Sequence, residues 1–336
     1  MLVGSSIGNN SEYLRNTSIY STRIFAAGCA VQACPSFTRP FLGRLLRIFT
    51  NRYGSKLKCN IIPAYQAITQ NIADKSSSLD AELETTYLRY FLEGYSSSSR
   101  SNQASLDTVV TSILGLNGAA QEQLKVAIPA LILNLLSADA SANIVQLLLD
   151  EVRTAVSSSK NTDIASAVFT ADRLPVLDSC LRETLRLHGL DLLTMKRRLM
   201  ADIKFDDTLT LPKGCPIAIA SYTVHRDETH YPNAEIFDPF RFCEKIPNSN
   251  SYKSTRPSYE PDEHYLVFGI GHHARPGRKF ACAMIKLTCI HLLMNYDVKR
   301  LDHRPSQRTF GPFRQERTDT VIEVRRKTAP MGREVD

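Results

Sequence analysis

The 336-residue chain contains no tryptophan, and none of its eight cysteines forms a C-x-x-C pair. Cys29, Cys34, Cys59, Cys180, Cys215, Cys243, Cys282 and Cys289 are spread through a long chain. That spread argues against a zinc cage and against a secreted disulfide framework, and it predicts a reducing compartment. Long apolar runs are missing as well. The longest, residues 126–136, is interrupted by Pro129 and Asn134, and it falls short of the ~20 residues that span a bilayer. The start, MLVGSSIGNNSEYLRNTS, is polar and has no apolar stretch of the signal-peptide kind. The expectation is an intracellular chain with no transmembrane segment, cytoplasmic or peripheral to a membrane. Concentrated basic charge is scarce. The formal net charge is +7, yet Lys and Arg cluster only at Lys196-Arg197-Arg198, at Arg325-Arg326-Lys327 and in one central loop. Without interleaved aromatics this reads as a solvated basic surface, and no nucleic-acid partner is expected.

What the chain has is apolar material in helical order. It is 43% hydrophobic, enough for a sizeable core, and its length suits one large domain or two ordinary ones. Residues 1–95 read as helical. Tyr13, Leu14, Ile24, Phe25, Phe41, Leu42, Leu45, Leu46 and Phe49 recur there at three- and four-residue steps. Residues 34–40, with Pro35 and Pro40, mark a loop, and the serine-rich residues 96–105 a linker. A helix resumes at Leu106, and the apolar residues 124–149 predict one buried central helix. Residues 172–187 predict an amphipathic helix with Leu174, Leu177, Leu181 and Leu185 on its apolar face. Residues 199–205 and 215–221 read as strands joined through a turn at 211–214. A strand at 320–324 and a polar tail at 328–336 close the chain.

The densest punctuation lies at residues 268–286, FGIGHHARPGRKFACAMIK. Gly269, Gly271 and Gly277, with Pro276, predict a tight loop whose backbone takes positive φ. It feeds a helix with Phe280, Met284 and Leu287 on one face. Such a loop presents backbone amides to an anion or to a metal ligand. Upstream, Glu183 and Arg186 stand three apart, an i,i+3 pair that is worth little when exposed.

Together these stretches resemble the cytochrome P450 family of haem-thiolate monooxygenases. That family's haem loop reads F-G-x-G-x-[RH]-x-C-P-G-R. Phe268, Gly269, Gly271, His273, Pro276, Gly277 and Arg278 match it, and Arg275 stands where the family has its cysteine. The resemblance makes Glu183 and Arg186 the family's E-x-x-R, paired with Arg241 of Phe237-Asp238-Pro239-Phe240-Arg241-Phe242. It makes Phe268, Gly269, Gly271, His273, Gly277 and Arg197 cofactor-binding residues, the last through a haem propionate. It makes Asp139 the acid of the oxygen-activating pair, with Ala140 in place of the usual threonine and Ser141 supplying a nearby hydroxyl. His225-Arg226-Asp227 matches the family's H-R-D. The implied fold is mainly α with a small β sheet, a partial cytochrome P450 fold. Residues 1–95 would supply the family's middle helices, 106–327 its core.

The resemblance implies a monooxygenase of fungal secondary metabolism that oxidises an apolar, terpenoid-like small molecule with haem as cofactor. A flavoprotein reductase supplies its electrons, and the expected location is cytoplasmic or peripheral to the endoplasmic reticulum. Arg275 opposes this. A guanidinium has no lone pair to give iron, and Cys282 lies about two helical turns away. Two alternatives therefore stand beside it. One is a degenerate, haem-free relative, inactive or acting as an interaction protein. The other is a haem-independent isomerase or cyclase using Asp139 and Ser141.

Overall fold

The structure is a computed structural model that describes residues 8–35, 37–74, 86–98, 106–139, 143–157, 168 and 173–327. The chain divides into two compact units, Met1–Gln123 and Leu124–Asp336. The division falls inside one long helix, α4, which runs from Leu106 to Ser137.

The first unit holds α1 (Ser11–Ala33), α2 (Arg39–Asp74), α3 (Tyr87–Ser98) and the start of α4. Asn10 starts α1 as a side-chain cap, its Oδ1 accepting from the amides of Glu12 (2.9 Å) and Tyr13 (3.0 Å). Tyr13, Ile61, Ile68, Leu88, Val109 and Ile113 form the core of this unit. The apolar periodicity over-reads the buried face, because Leu14, Ile24 and Phe41 are exposed. The serine-rich stretch begins inside α3, and residues 99–105 lie outside the described part.

The second unit holds the rest of α4, then α5 (Ile144–Ser157), α6 (Pro175–His188), α7 (Ser221–Val224) and α8 (Arg278–Asn295). Between and after them come β1 (Thr194–Arg198), β2 (Ile203–Lys204), β3 (Thr210–Leu211), β4 (Pro216–Ile219), β5 (Cys243–Lys245), β6 (Tyr252–Ser254), β7 (Tyr296–Val298), β8 (Arg308–Phe310), β9 (Phe313–Gln315) and β10 (Val324–Arg326). Among the described residues these make five two-stranded antiparallel sheets. The architecture is mainly α with small sheets.

Four expectations change. The central helix is not continuous to Leu149. It stops at Ser137, and the apolar pattern resumes in α5. Its last carbonyls are taken by the chain itself, Leu136 O accepting from the Leu301 amide (3.0 Å) and Ala138 O from Arg300. Hydropathy runs through the break, which is why the sequence hides it. The helix expected at 172–187 begins at Pro175, a residue suited to a first turn because it has no N–H to leave unpaired. The strand expected at 215–221 forms as β4 and pairs with β1, Leu199 continuing that pairing onto Gly214 and Cys215, while of residues 199–205 only β2 is a strand and it pairs with β3. Finally, Phe280 is exposed, and α8 buries Cys282, Ala283, Ile285, Cys289 and Ile290 instead.

α6 organises the second unit. Every residue from Pro175 to Leu187 is buried, charged ones included. Leu177, Leu181 and Leu185 join Leu131, Ile144, Leu148, Val152, Ile285 and Ile290 in one core. Its charges are tolerated because each has a partner. Asp178 accepts from Lys286 Nζ (2.9 Å), Ser258 Oγ (2.7 Å) and the Ser258 amide (2.7 Å). Arg182 donates to Pro257 O, Glu260 O and Asp262 Oδ2, each at 2.6 Å, and lies 3.8 Å from the centre of the Tyr265 ring.

Candidate functional site

Glu183 sits on α6 with none of its side chain exposed, and two guanidiniums meet there. Arg186 grips it in a fork, Nε to Oε2 and Nη2 to Oε1, both 2.7 Å. Arg241 Nε donates to Oε1 at 2.9 Å, and the Asp238 amide donates at 3.2 Å. The residues that the resemblance groups are thus brought together, from segments 58 residues apart. Arg186 also donates to Ala234 O (2.8 Å) and to the carbonyl of His225. Arg241 donates to Pro232 O at 2.8 Å. One carboxylate therefore ties α6 to residues 225–241, a junction in which geometry is specified more than energy is gained.

That junction reaches the glycine loop through His225. Its Nε2 accepts from the Leu266 amide at 2.8 Å, two residues before Phe268. Burial, and then the charges of Arg186 and Arg226, hold the His225 pKa down at about 3, so the ring is neutral with its proton on Nδ1. The other two members of the H-R-D stretch are also structural in their bonding. Arg226 pairs with Glu235 at 3.0 Å, and Asp227 closes a turn by accepting from Thr229.

The loop has the backbone its glycines predict. Gly269, Gly271 and Gly277 take φ of 70°, 68° and 76°. Residues 271–273 form one turn of 3-10 helix, and the Arg275 amide closes the loop onto Phe268 O at 2.8 Å. Phe268 packs edge-on against the ring of Tyr265, 6.4 Å between centres. Gly277 in the left-handed region then starts α8.

Between this loop and β1 lies a cavity of about 240 Å³. Phe268, Gly269, His273, Arg275 and Arg197 all line it. Arg275 directs Nη2 onto Asp191 Oδ2 at 2.7 Å, with the guanidinium 43% exposed and the carboxylate 13%. Arg197 is exposed and donates to Lys196 O at 2.9 Å.

Of the remaining site residues, Asp139 is exposed at the end of the segment after α4. Ser141 and Ala140 lie outside the described residues, so the acid–hydroxyl arrangement expected there has no geometry to report. Asp191, Thr194 and Met195 line the cavity and carried no signal in the sequence. Asp191 and Arg275 are 84 residues apart, and no spacing rule joins them.

The residues present do not fit a thiolate-ligated haem. Arg275 has no lone pair. Cys282 is fully buried beside Ser258 and Asp178, with burial pushing its thiol up to about 12. Cys243 and Cys289 are likewise raised to about 12 by burial, and Cys180 well above its ordinary value. A buried thiol of that kind is not a thiolate. Among the described residues, no three His, Cys, Asp or Glu side chains are grouped to hold a metal.

Comparison with known proteins gives a consistent direction. A family model described as Cytochrome P450 matches residues 13–318. The chain is 27% identical over 301 residues to Cytochrome P450 monooxygenase 71 of Postia placenta, covering 89% of this chain and 57% of that protein. It is 25% identical over 332 residues to Cytochrome P450 monooxygenase lnaC of Aspergillus flavus, covering 97% and 62%. It is 29% identical over 308 residues to Cytochrome P450 monooxygenase pbrC of Penicillium brasilianum, covering 88% and 56%. The chain thus spans less than two thirds of the length of these relatives. Among the described residues, no helix is long and apolar enough to cross a membrane.

Proposed function

Because the chain belongs to the cytochrome P450 family, we propose that it is a haem-free relative of the fungal secondary-metabolism monooxygenases, keeping their scaffold without their thiolate chemistry. One observation carries the reading. At the position where the family resemblance calls for a thiolate, Arg275 is engaged in an ion pair with Asp191 at 2.7 Å. A guanidinium neither donates electrons to iron nor tolerates a ferric centre nearby. In this reading the Glu183 junction and the glycine loop are retained for their structural work, and the protein is inactive in oxygen chemistry or acts as an interaction protein.

A second reading is a working monooxygenase for an apolar, terpenoid-like compound, fed by a flavoprotein reductase. The intact Glu183–Arg186–Arg241 cluster and the His225–Leu266 bond favour it, since they tie α6 and residues 225–241 to the segment leading into the loop that the resemblance assigns to the cofactor. Haem would then have to be held by a residue other than Arg275, and His273, which lines the cavity, would be the nitrogen ligand.

Carbon monoxide separates the two. The purified chain, expressed with haem supplied, is reduced and exposed to the gas. The haem-free reading expects no thiolate-type red shift in the wild type. A full thiolate-type spectrum from the wild type overturns it. Haem uptake without that shift points to histidine ligation and the second reading. Arg275→Cys is the companion: a thiolate spectrum in that variant alone identifies the arginine as the lesion.

A further inference from the structure

We propose that the hairpin of β2 and β3 is a dimerisation surface, occupied by a second copy of this chain packed face to face across a two-fold axis. The proposal goes beyond the haem-free reading and does not rest on it, because no residue of the hairpin belongs to the glycine loop, its cavity or the Glu183 junction.

The register puts four apolar side chains on one face. Ile203 lies opposite Leu211, and Lys204 opposite Thr210. The Phe205 amide donates to Leu209 O at 2.9 Å, which continues the same register toward the turn. Residues directly opposite one another, and residues two apart along a strand, share a face. Ile203, Phe205, Leu209 and Leu211 therefore form one face, with Lys204 and Thr210 on the other.

That face is open. Every residue from 201 to 210 is exposed. Phe205 is 73% exposed, Ile203 45% and Leu209 44%, and Met200 at the base of the hairpin is 80% exposed. A two-stranded hairpin is marginal alone in water and gains independent stability only when its apolar face packs on another layer.

Area and charge choose the occupant. A phenylalanine offers about 150–250 Å², so at these exposures the face and Met200 leave roughly 450 Å² of apolar surface in water, a patch of the size that marks interaction sites. Two copies meeting there remove roughly 900 Å² before the polar rim is counted, near the ~1,000 Å² floor of a specific interface. A weak, reversible dimer fits that area.

The hairpin is also charged unevenly along its length. Its tip carries Asp206 and Asp207, and its base carries Lys213 and runs on into Lys196-Arg197-Arg198 of β1. Asp202, also at the base, is taken by the Lys213 amide at 2.7 Å. Asp207 reaches Lys204 at 2.7 Å, but its side chain is 97% exposed, and such a surface pair is worth little. A two-fold axis through the centre of the face, level with Lys204 and Thr210, reverses the hairpin. It carries Asp207, three residues beyond Lys204, to the level of Lys213, three residues beyond Thr210. One symmetric contact thus sets acid against base twice. An acidic tip is a poor match for a lipid leaflet, whose surface is negative.

The test is sedimentation velocity of the full chain over an about hundredfold range of concentration, at low and high salt. The wild type is expected to pass from monomer to dimer, and association is expected to weaken as salt rises. Phe205→Ser is expected to weaken the dimer at least about tenfold and to leave the melting temperature unchanged, because the ring is already in solvent. Asp207→Lys and Lys213→Glu are each expected to weaken it about threefold to tenfold. An equimolar mixture of those two variants should recover the dimer, since each copy supplies the charge that the other's reversed residue needs. The chain carrying both reversals should dimerise by itself. The proposal is overturned if the wild type stays monomeric at every concentration, whether or not it sediments with phosphatidylcholine vesicles. It is overturned equally if Phe205→Ser dimerises like the wild type, or if the mixture associates no better than its components. The carbon monoxide spectrum bears on the haem-free reading alone, so the two can fail separately.

Discussion

Glu183 is where the second unit is most sensitive to a single change. Its carboxylate is fully buried and neutralises Arg186, which is also fully buried, and Arg241, which is 11% exposed. Removing one member of a buried ionic set leaves the others desolvated and unpaired, at about 3–5 kcal/mol. Glu183→Ala should therefore lower the unfolding free energy from urea titration by that amount, and a loss under about 1 kcal/mol would show that the cluster contributes little to stability. Lys286→Met should behave alike, because it strips Asp178 of its only cation among the described residues while Ser258 remains. The buried histidines set the acid limit. His225 is lowered to about 3 and His188 to about 2, in each case first by burial. In the unfolded chain both protonate near 6.5, before they can in the fold. Their contribution is therefore intact above pH 6.5 and drains away as pH falls toward 3. His225→Gln, which keeps an acceptor for the Leu266 amide, should flatten the fall of the urea midpoint between pH 6.5 and 4. An unchanged slope would place the acid sensitivity elsewhere.

At the scale of elements, the start of α6 shows how a helix end is satisfied from another helix. Glu151 on α5 accepts from the Val176 and Leu177 amides at 2.7 and 3.0 Å. Those are first-turn N–H groups with no partner inside the helix. Burial raises the Glu151 pKa to about 7, against the pull of the two amides. The folded chain then keeps a proton that the unfolded chain releases near 4.5, so this group's contribution weakens as pH rises from 4.5 through 7. Glu151→Gln should remove that slope, and Glu151→Ala should cost about 0.5–2 kcal/mol as a lost cap. A pH profile identical to wild type in Glu151→Gln would rule the carboxyl out. Much at this scale was legible beforehand. The neighbouring of Glu183 and Arg186 and the positive φ of the three loop glycines follow from helix geometry and backbone sterics, which are local rules, whereas the pairing with Arg241 was legible only through the family resemblance. The end of α4 at Ser137, the pairing of β1 with β4 and the exposure of Phe280 were not legible. Each depends on what the rest of the chain places opposite, and Asp191 is the clearest case, since its partner is 84 residues away.

Taken whole, the chain is chemically uneven. The first unit packs Tyr13, Ile61, Ile68, Leu88 and Val109 in one core, and the second packs α4 to α6 with α8 in another. All eight histidines fall at or after His188, in the second unit. The buried ion pairs of Asp178, Glu183 and Arg182 lie in the second unit too. Apolar burial is nearly indifferent to pH, whereas buried imidazoles held neutral are not. Moderate acid should therefore loosen the second unit selectively. The measurable quantity is amide hydrogen exchange by segment, expressed as protection factors at pH 7 and pH 4.5 so that intrinsic rates cancel. Protection across α6 and α8 should fall by about tenfold or more, one protonated histidine being worth at least that through its displaced pKa. Protection across α1, held by the Asn10 cap and the Tyr13 core, should change far less. Equal loss in the two units would mean that protonation of the buried histidines is not what limits the fold in acid.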